Sequence, residues 1–156
     1  EIKDICNFYG ISGYTINSDG SIDVDGNVQL SGKGLKRVPV KFNKVDGGFY
    51  CNNNNLTSLE GFPKVVGGFF NVSDNNLTSL IGGRVNVKYS YVCSNNELVS
   101  LDGGPIIIGG LFRCNNNPLK SIDGYKLPYS KLNSSNNDIL ITKHKRKSKI
   151  KYISEL

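Results

Sequence analysis

Residues 49–63 read Phe49-Tyr50-Cys51-Asn52-Asn53-Asn54-Asn55-Leu56-Thr57-Ser58-Leu59-Glu60-Gly61-Phe62-Pro63, and 21 residues on the pattern returns as Phe70, Val72, Asn75, Leu77, Leu80 and Gly82. A third version holds Tyr91, Cys93, Asn96, Leu98, Leu101, Gly103 and Pro105, and a fourth holds Phe112, Cys114, Asn117, Leu119, Ile122 and Gly124. Val45, Val66, Val87 and Ile108 keep the same step. Columns held in one register over this length mark a chain of stacked coils, each burying its apolar face only against its neighbours.

The chemistry of the columns says what one coil looks like. Phe49 and Cys51 alternate along a short strand, so both turn to one face and stack on their counterparts in the next coil. Each asparagine of the 54, 75, 96 and 117 column turns inward where the chain leaves the strand. Its amide can meet backbone groups that no sheet ladder reaches. The glycines supply backbone shapes that other residues resist, and Pro63 and Pro105 stiffen the return stretch. No repeat segment has a helical hydrophobic period, so the return side is expected to be extended.

Weaker coils flank these. Val24, Val28, Leu30, Leu35 and Val38 lie one period before Val45, Phe49, Cys51, Leu56 and Leu59, with Lys33 in place of the asparagine. Leu132, Ser134, Asn137 and Ile139 form a last coil one residue short, with Thr142 where its final leucine is due. The expectation is a β-rich solenoid of about six coils over residues 24–142. At about 4.8 Å per coil, its six strands span roughly 24 Å. Residues 1–23 form an N-terminal cap: Ile2, Ile5, Cys6 and Tyr9 have helical spacing up to Gly10. Tyr14-Thr-Ile and Ser21-Ile-Asp-Val then flank Asn17-Ser-Asp-Gly as a hairpin. An open solenoid end needs such a cover. Opening without methionine and closing on Tyr152-Ile-Ser-Glu-Leu, the chain also reads as a piece of a slightly longer protein.

The coil resembles the leucine-rich repeat, LxLxxNxL, in its short bacterial form. That resemblance implies a parallel sheet on a concave face. The run Val45-Asp-Gly-Gly-Phe-x-Cys-x-x-Asn-x-Leu-Thr-Ser-Leu-Glu-Gly-x-Pro63, the opening Tyr14 to Gly26 and the basic ending are similar to small leucine-rich repeat proteins encoded by tailed bacteriophages. The likeness covers nearly the whole chain. It departs at Lys88 and Tyr89, where a glycine pair is due, and at Arg84, where a proline is due. What it implies is a phage factor in the host cytoplasm that binds and disables a host or defence protein, a counter-defence inhibitor.

The residues themselves favour binding over catalysis. The one histidine, His144, lies in a basic run outside the repeats. Cys51, Cys93 and Cys114 share a column with Leu30, Val72 and Ser134, which reads as a small apolar filler with reduced thiols, as in a reducing cytoplasm. Asp19, Asp23 and Asp25 lack the spacing of a calcium loop and read as turn chemistry. No cofactor or metal is implied, no signal peptide is evident, and no apolar run is long enough for a membrane span. Asn55, Asn71, Asn76 and Asn133 match the glycosylation pattern, two of them only because the repeat generates it.

Two surfaces remain. Strand residues alternating with the core column must face outward: Gln29, Tyr50 and Asn52, then Phe69 and Asn71, then Val92, then Leu111 and Arg113. Tyr50, Phe69, Val92 and Leu111 are expected to form one apolar patch, with Asn71 and Arg113 beside it as a partner-binding site. The other is the basic run Lys143, Lys145, Arg146, Lys147, Lys149 and Lys151, six charges in nine residues against a chain total of +6. It reads either as a solvated cap, with Ile150, Tyr152 and Ile153 covering the last coil, or as a contact for nucleic acid or an acidic partner. No aromatic residues interleave the lysines, so any nucleic-acid contact would be weak.

Overall fold

The computed structural model describes residues 1–122, 124–134, 142–143, 146–147, 150–151 and 153–155. It opens with helix α1 (Ile2–Tyr9), stopped by Gly10 in the left-handed conformation at φ 68°. Cys6 is buried, and Ile2, Ile5 and Tyr9 pack on the core, so the predicted spacing does mark the inner face. Strands β1 (Tyr14–Ile16) and β2 (Ile22–Val24) form the expected antiparallel hairpin. On its other edge β2 pairs in parallel with β4 (Phe42–Val45), so the hairpin feeds directly into the first coil.

Each coil then contributes to two sheets. One side runs β2, β4, β6 (Val65–Val66) and β8 (Asn86–Val87), extended by a bridge from Val87 to Ile108. The other runs through β3 (Val28–Gln29), β5 (Phe49–Tyr50), β7 (Phe70–Asn71), β9 (Tyr91–Val92), β10 (Phe112–Arg113) and β11 (Leu132–Asn133). All pairs in this six-stranded sheet are parallel, and Phe49, Phe70, Tyr91, Phe112 and Leu132 meet partner to partner. The register read from the repeat is the register of the sheet.

The return side is extended, as expected, and it is also hydrogen-bonded into a sheet of its own. Val45, Val66 and Val87 face inward there, while Lys44 and Val65 face solvent. The two sheets meet at a tight corner where backbone stacks on backbone. A Cβ on Gly68 would sit 2.7 Å from the amide nitrogen of Gly48, so the close approach itself demands glycine.

Between the sheets lies one continuous core. Phe42, Phe49, Phe70, Tyr91 and Phe112 form a file of rings, with successive centroids 5.1, 5.9, 4.6 and 5.3 Å apart. Leu56, Leu59, Leu77, Leu80 and Leu98 are fully buried beside them. Each such side chain contributes about 1.5–3 kcal/mol by leaving water.

The inward asparagines tie coil to coil. Asn75 Nδ2 donates to the carbonyls of Cys51 in the preceding coil and Val72 in its own, both at 3.1 Å, and its Oδ1 accepts from the Leu56 amide at 3.0 Å. Asn54, Asn96 and Asn117 repeat the arrangement. The residue before each asparagine makes the turn possible. Asn53, Asp74, Asn95 and Asn116 all hold φ of 54–56°, the left-handed region that asparagine and aspartate enter more readily than most side chains. Their side chains form a second, exposed ladder: Asn95 Nδ2 donates to Asp74 Oδ1, and Asn116 Nδ2 to Asn95 Oδ1, each at 2.8 Å.

Candidate functional site

The outer face of the six-stranded sheet carries the sequence-predicted contact residues. Tyr50, Asn71, Val92 and Arg113 stand in one row, each opposite the next across the parallel ladder. Tyr50, Asn71 and Val92 are half-buried by their neighbours, and Arg113 is exposed. Asn71 is locked in place, since its Oδ1 accepts from both the amide and the hydroxyl of Ser73 at 3.0 and 2.7 Å. That leaves its amide group for an outside partner. Asn52, expected to stand free in solvent, instead accepts a 2.7 Å bond from the Ser31 hydroxyl and is half-buried.

Phe69 and Leu111 lie in the adjacent row, at the corner, with Ser90 between them. Ser90 is buried, and its hydroxyl accepts from the Leu111 amide at 3.0 Å. The Tyr50 ring folds back over Gly48, filling the space a Cβ there would need. This moves it from its own row into the file that contains Phe69. The residues of the predicted cluster therefore lie in two rows of the face.

The ring partner of Phe69 is a residue the sequence reading treated only as a departure from the repeat. Tyr89 lies 5.4 Å from Phe69, centroid to centroid, with Phe69 46% and Tyr89 47% exposed. Lys88 Nζ stands 5.7 Å from the Tyr89 ring, within cation–π reach. Tyr89 occupies the corner column that holds Gly47, Gly68 and Gly110 in the other coils. The break in the glycine column was the available signal, because a side chain placed at a crowded backbone corner can point only outward.

The other chemical candidates are occupied. Asp19 accepts from the Ser21 hydroxyl and amide at 2.6 and 3.0 Å and pairs with Lys41 at 2.8 Å; the Lys41 bond foremost holds its carboxyl well below the usual carboxylate range. Asp23 accepts from Asn43 and Asn17 at 2.7 and 3.2 Å, which likewise depresses its pKa. All four cysteines are free and buried. Burial pushes the Cys51 and Cys114 thiols up to about 12, and Cys93 well above its ordinary value. Such thiols are poor nucleophiles.

Of the basic run, Lys143, Arg146, Lys147 and Lys151 are exposed and helical. Lys145, Lys149, Tyr152 and His144 lie outside the described residues, as do Asn137 and Ile139 of the last coil. Ile150 and Ile153 do not cover the solenoid end: they are 67% and 59% exposed. Thr142, expected in a leucine's place, is exposed and helical too. Among the described residues, no helix is long and apolar enough to cross a membrane. Comparison with known proteins finds no matching family model, curated protein or solved structure.

Proposed function

We propose that this β-solenoid is a protein-binding module, not an enzyme, and that it works through the outer face of its six-stranded sheet. The observation that carries this reading is the solvent-exposed contact between Phe69 and Tyr89. Two large rings left in water on a rigid frame form an anchor of the kind that dominates protein interfaces, and Tyr50, Leu111, Val92, Asn71 and Arg113 surround it. The buried, high-pKa thiols suit a core filler better than a nucleophile, and four free cysteines suit a reducing cytoplasm. Taken with the phage-like repeat, the target is a host or defence protein that the module occludes.

The test is capture of a partner from bacterial lysate, repeated with Phe69→Ala, Tyr89→Ala and Arg113→Ala. Each is expected to lose the partner while keeping its fold. A second reading places the contact on the basic run, favoured by the exposure of Lys143, Arg146, Lys147 and Lys151. A nucleic-acid contact there would weaken steeply between low and moderate salt, which an apolar patch would not. If the combined change of Lys145, Arg146 and Lys147 to alanine abolishes capture and the outer-face variants keep it, the basic run is the site.

A further inference from the structure

The first coil departs from the repeat where it holds Lys33 instead of the inward asparagine, and Lys33 lines a groove there. Asn54 still reaches back to the amides of Lys33 and Leu35, both at 2.9 Å, so the backbone turn survives. The Lys33 side chain is exposed. A hollow of about 410 Å³ lies here between α1 and residues 33–39. Ile5, Tyr9, Leu35 and Val38 give it apolar walls, and Lys33, Lys36 and Arg37 stand around it. Beyond Arg37 a second hollow of about 400 Å³ continues past Pro39 to Lys41 and Glu60.

The charge around the first hollow is unbalanced. Among the described residues, Lys33, Lys36 and Arg37 take part in no ion pair, whereas Lys41 is held by Asp19 and Lys44 by Asp46. Three cations within five residues, over a partly apolar floor, complement a ligand with several carboxylates beside an aliphatic or aromatic group. A nucleic-acid backbone fits less well. It needs cations strung along a path, and here they sit at one end of one coil, with Glu60 on the far side of the adjoining hollow. An extended peptide can present a side chain about every 3.3 Å, close enough to use all three cations while seating an apolar residue between them.

We propose that this groove binds an acidic, partly apolar peptide segment of a protein partner. The site shares no residue with the outer-face contact, so the two stand or fall separately.

The probe is a fluorescein-labelled octapeptide with glutamates flanking a Phe-Leu pair, followed by fluorescence anisotropy on the full chain. Comparison probes are its glutamine counterpart, an octaglutamate and a labelled thymidine octanucleotide. The first peptide is expected to bind best. Lys36→Glu combined with Arg37→Glu should weaken it about tenfold or more, as loss of an arginine anchor does. Lys64→Glu combined with Lys120→Glu, the same charge change at exposed sites elsewhere, should leave it within about twofold. Both pairs are exposed, and a melting curve for each variant checks that the fold is intact. Amide NMR shifts on adding peptide should gather at Tyr9, Leu35 and Val38. Equal losses in the two double variants, tighter binding of the octanucleotide, or absence of peptide binding at low salt would each overturn the proposal.

Discussion

Phe69 and Phe70 are adjacent in the chain and opposite in environment: Phe69 is 46% exposed against the Tyr89 ring, and Phe70 is wholly buried between Phe49 and Tyr91. Strand alternation separates them, and with it separates stability from binding. Phe70→Ala is expected to destabilise by about 3–5 kcal/mol, the cost of truncating a buried aromatic. Phe69→Ala should stay within about 0.5 kcal/mol, as exposed substitutions do. Against a captured partner, Phe69→Ala should cost about 1–2 kcal/mol of affinity or more, and Tyr89→Ala a similar amount. Thermal melts and a titration with the partner read the two effects apart. Equal melting losses at Phe69 and Phe70 would put both rings in the core and end the outer-face reading.

Cysteine chemistry should be silent in the folded chain. Cys51 and Cys114 hold their protons up to about pH 12 because burial penalises the thiolate, and no solvent reaches them. Ellman's reagent at pH near neutral should therefore label no cysteine until denaturant is added, and then all four. Cys93→Val should cost less than about 1.5 kcal/mol, since the same column already holds Val72. A native bridge between Cys93 and Cys114 under non-reducing mass spectrometry would contradict both the packing and the proposal of a reducing compartment.

Acid should loosen the N-terminal hairpin before the coils. Asn43 foremost, then Asn17, donate to the Asp23 carboxylate and lower its pKa in the folded chain. A carboxyl depressed by folding contributes its stability above its unfolded value of about 3.9. That contribution is lost as pH falls through the depressed folded value. A carboxyl-carbon NMR titration should show Asp23 titrating below that reference, and Asp23→Asn should flatten the pH dependence of the melt in the same window. An Asp23 midpoint at or above the reference would remove Asp23 from the acid response.

How much of this was legible beforehand follows from the periods involved. The period of 21 and the alternation of two together fixed the inward file from Phe49 to Phe112, the outward row from Tyr50 to Arg113, and the coil register. The second sheet was not legible as a sheet. Its outward positions, Lys44, Val65 and Asn86, share no chemistry, so Val45, Val66 and Val87 stood as isolated columns without visible alternation. Tyr89 was visible only as an error in a glycine column. The left-handed turn at Asn53, Asp74, Asn95 and Asn116 was hidden because asparagine is common throughout the repeat; its one clear trace is Gly32 at the same position in the first coil, with φ of 66°. The groove beside α1 needed the packing of the cap, which no repeat column encodes.

Asn75 and Asn76 offer the sharpest check on the inward ladder, because two neighbours of identical chemistry divide in the same way as the two phenylalanines. Asn75 is 6% exposed and serves the Cys51 and Val72 carbonyls and the Leu56 amide, while Asn76 is exposed. In Asn75→Ala the Leu56 amide would lose its partner, where water cannot easily replace it, while the Cys51 and Val72 carbonyls would each lose one donor and keep another, from Asn54 and Asn96. A buried amide left unsatisfied costs about 1–3 kcal/mol, so the melting temperature should fall measurably. Asn76→Ala should stay within about 0.5 kcal/mol. Aspartate at position 75 distinguishes the two halves of the amide. It keeps an acceptor for Leu56 but places a carboxylate against the Cys51 and Val72 carbonyls, so Asn75→Asp should be at least as damaging as Asn75→Ala near neutral pH. Because protonation restores a donor, that variant alone should regain stability as pH falls. Equal melts for Asn75→Ala and Asn76→Ala would mean the coils are held without the ladder.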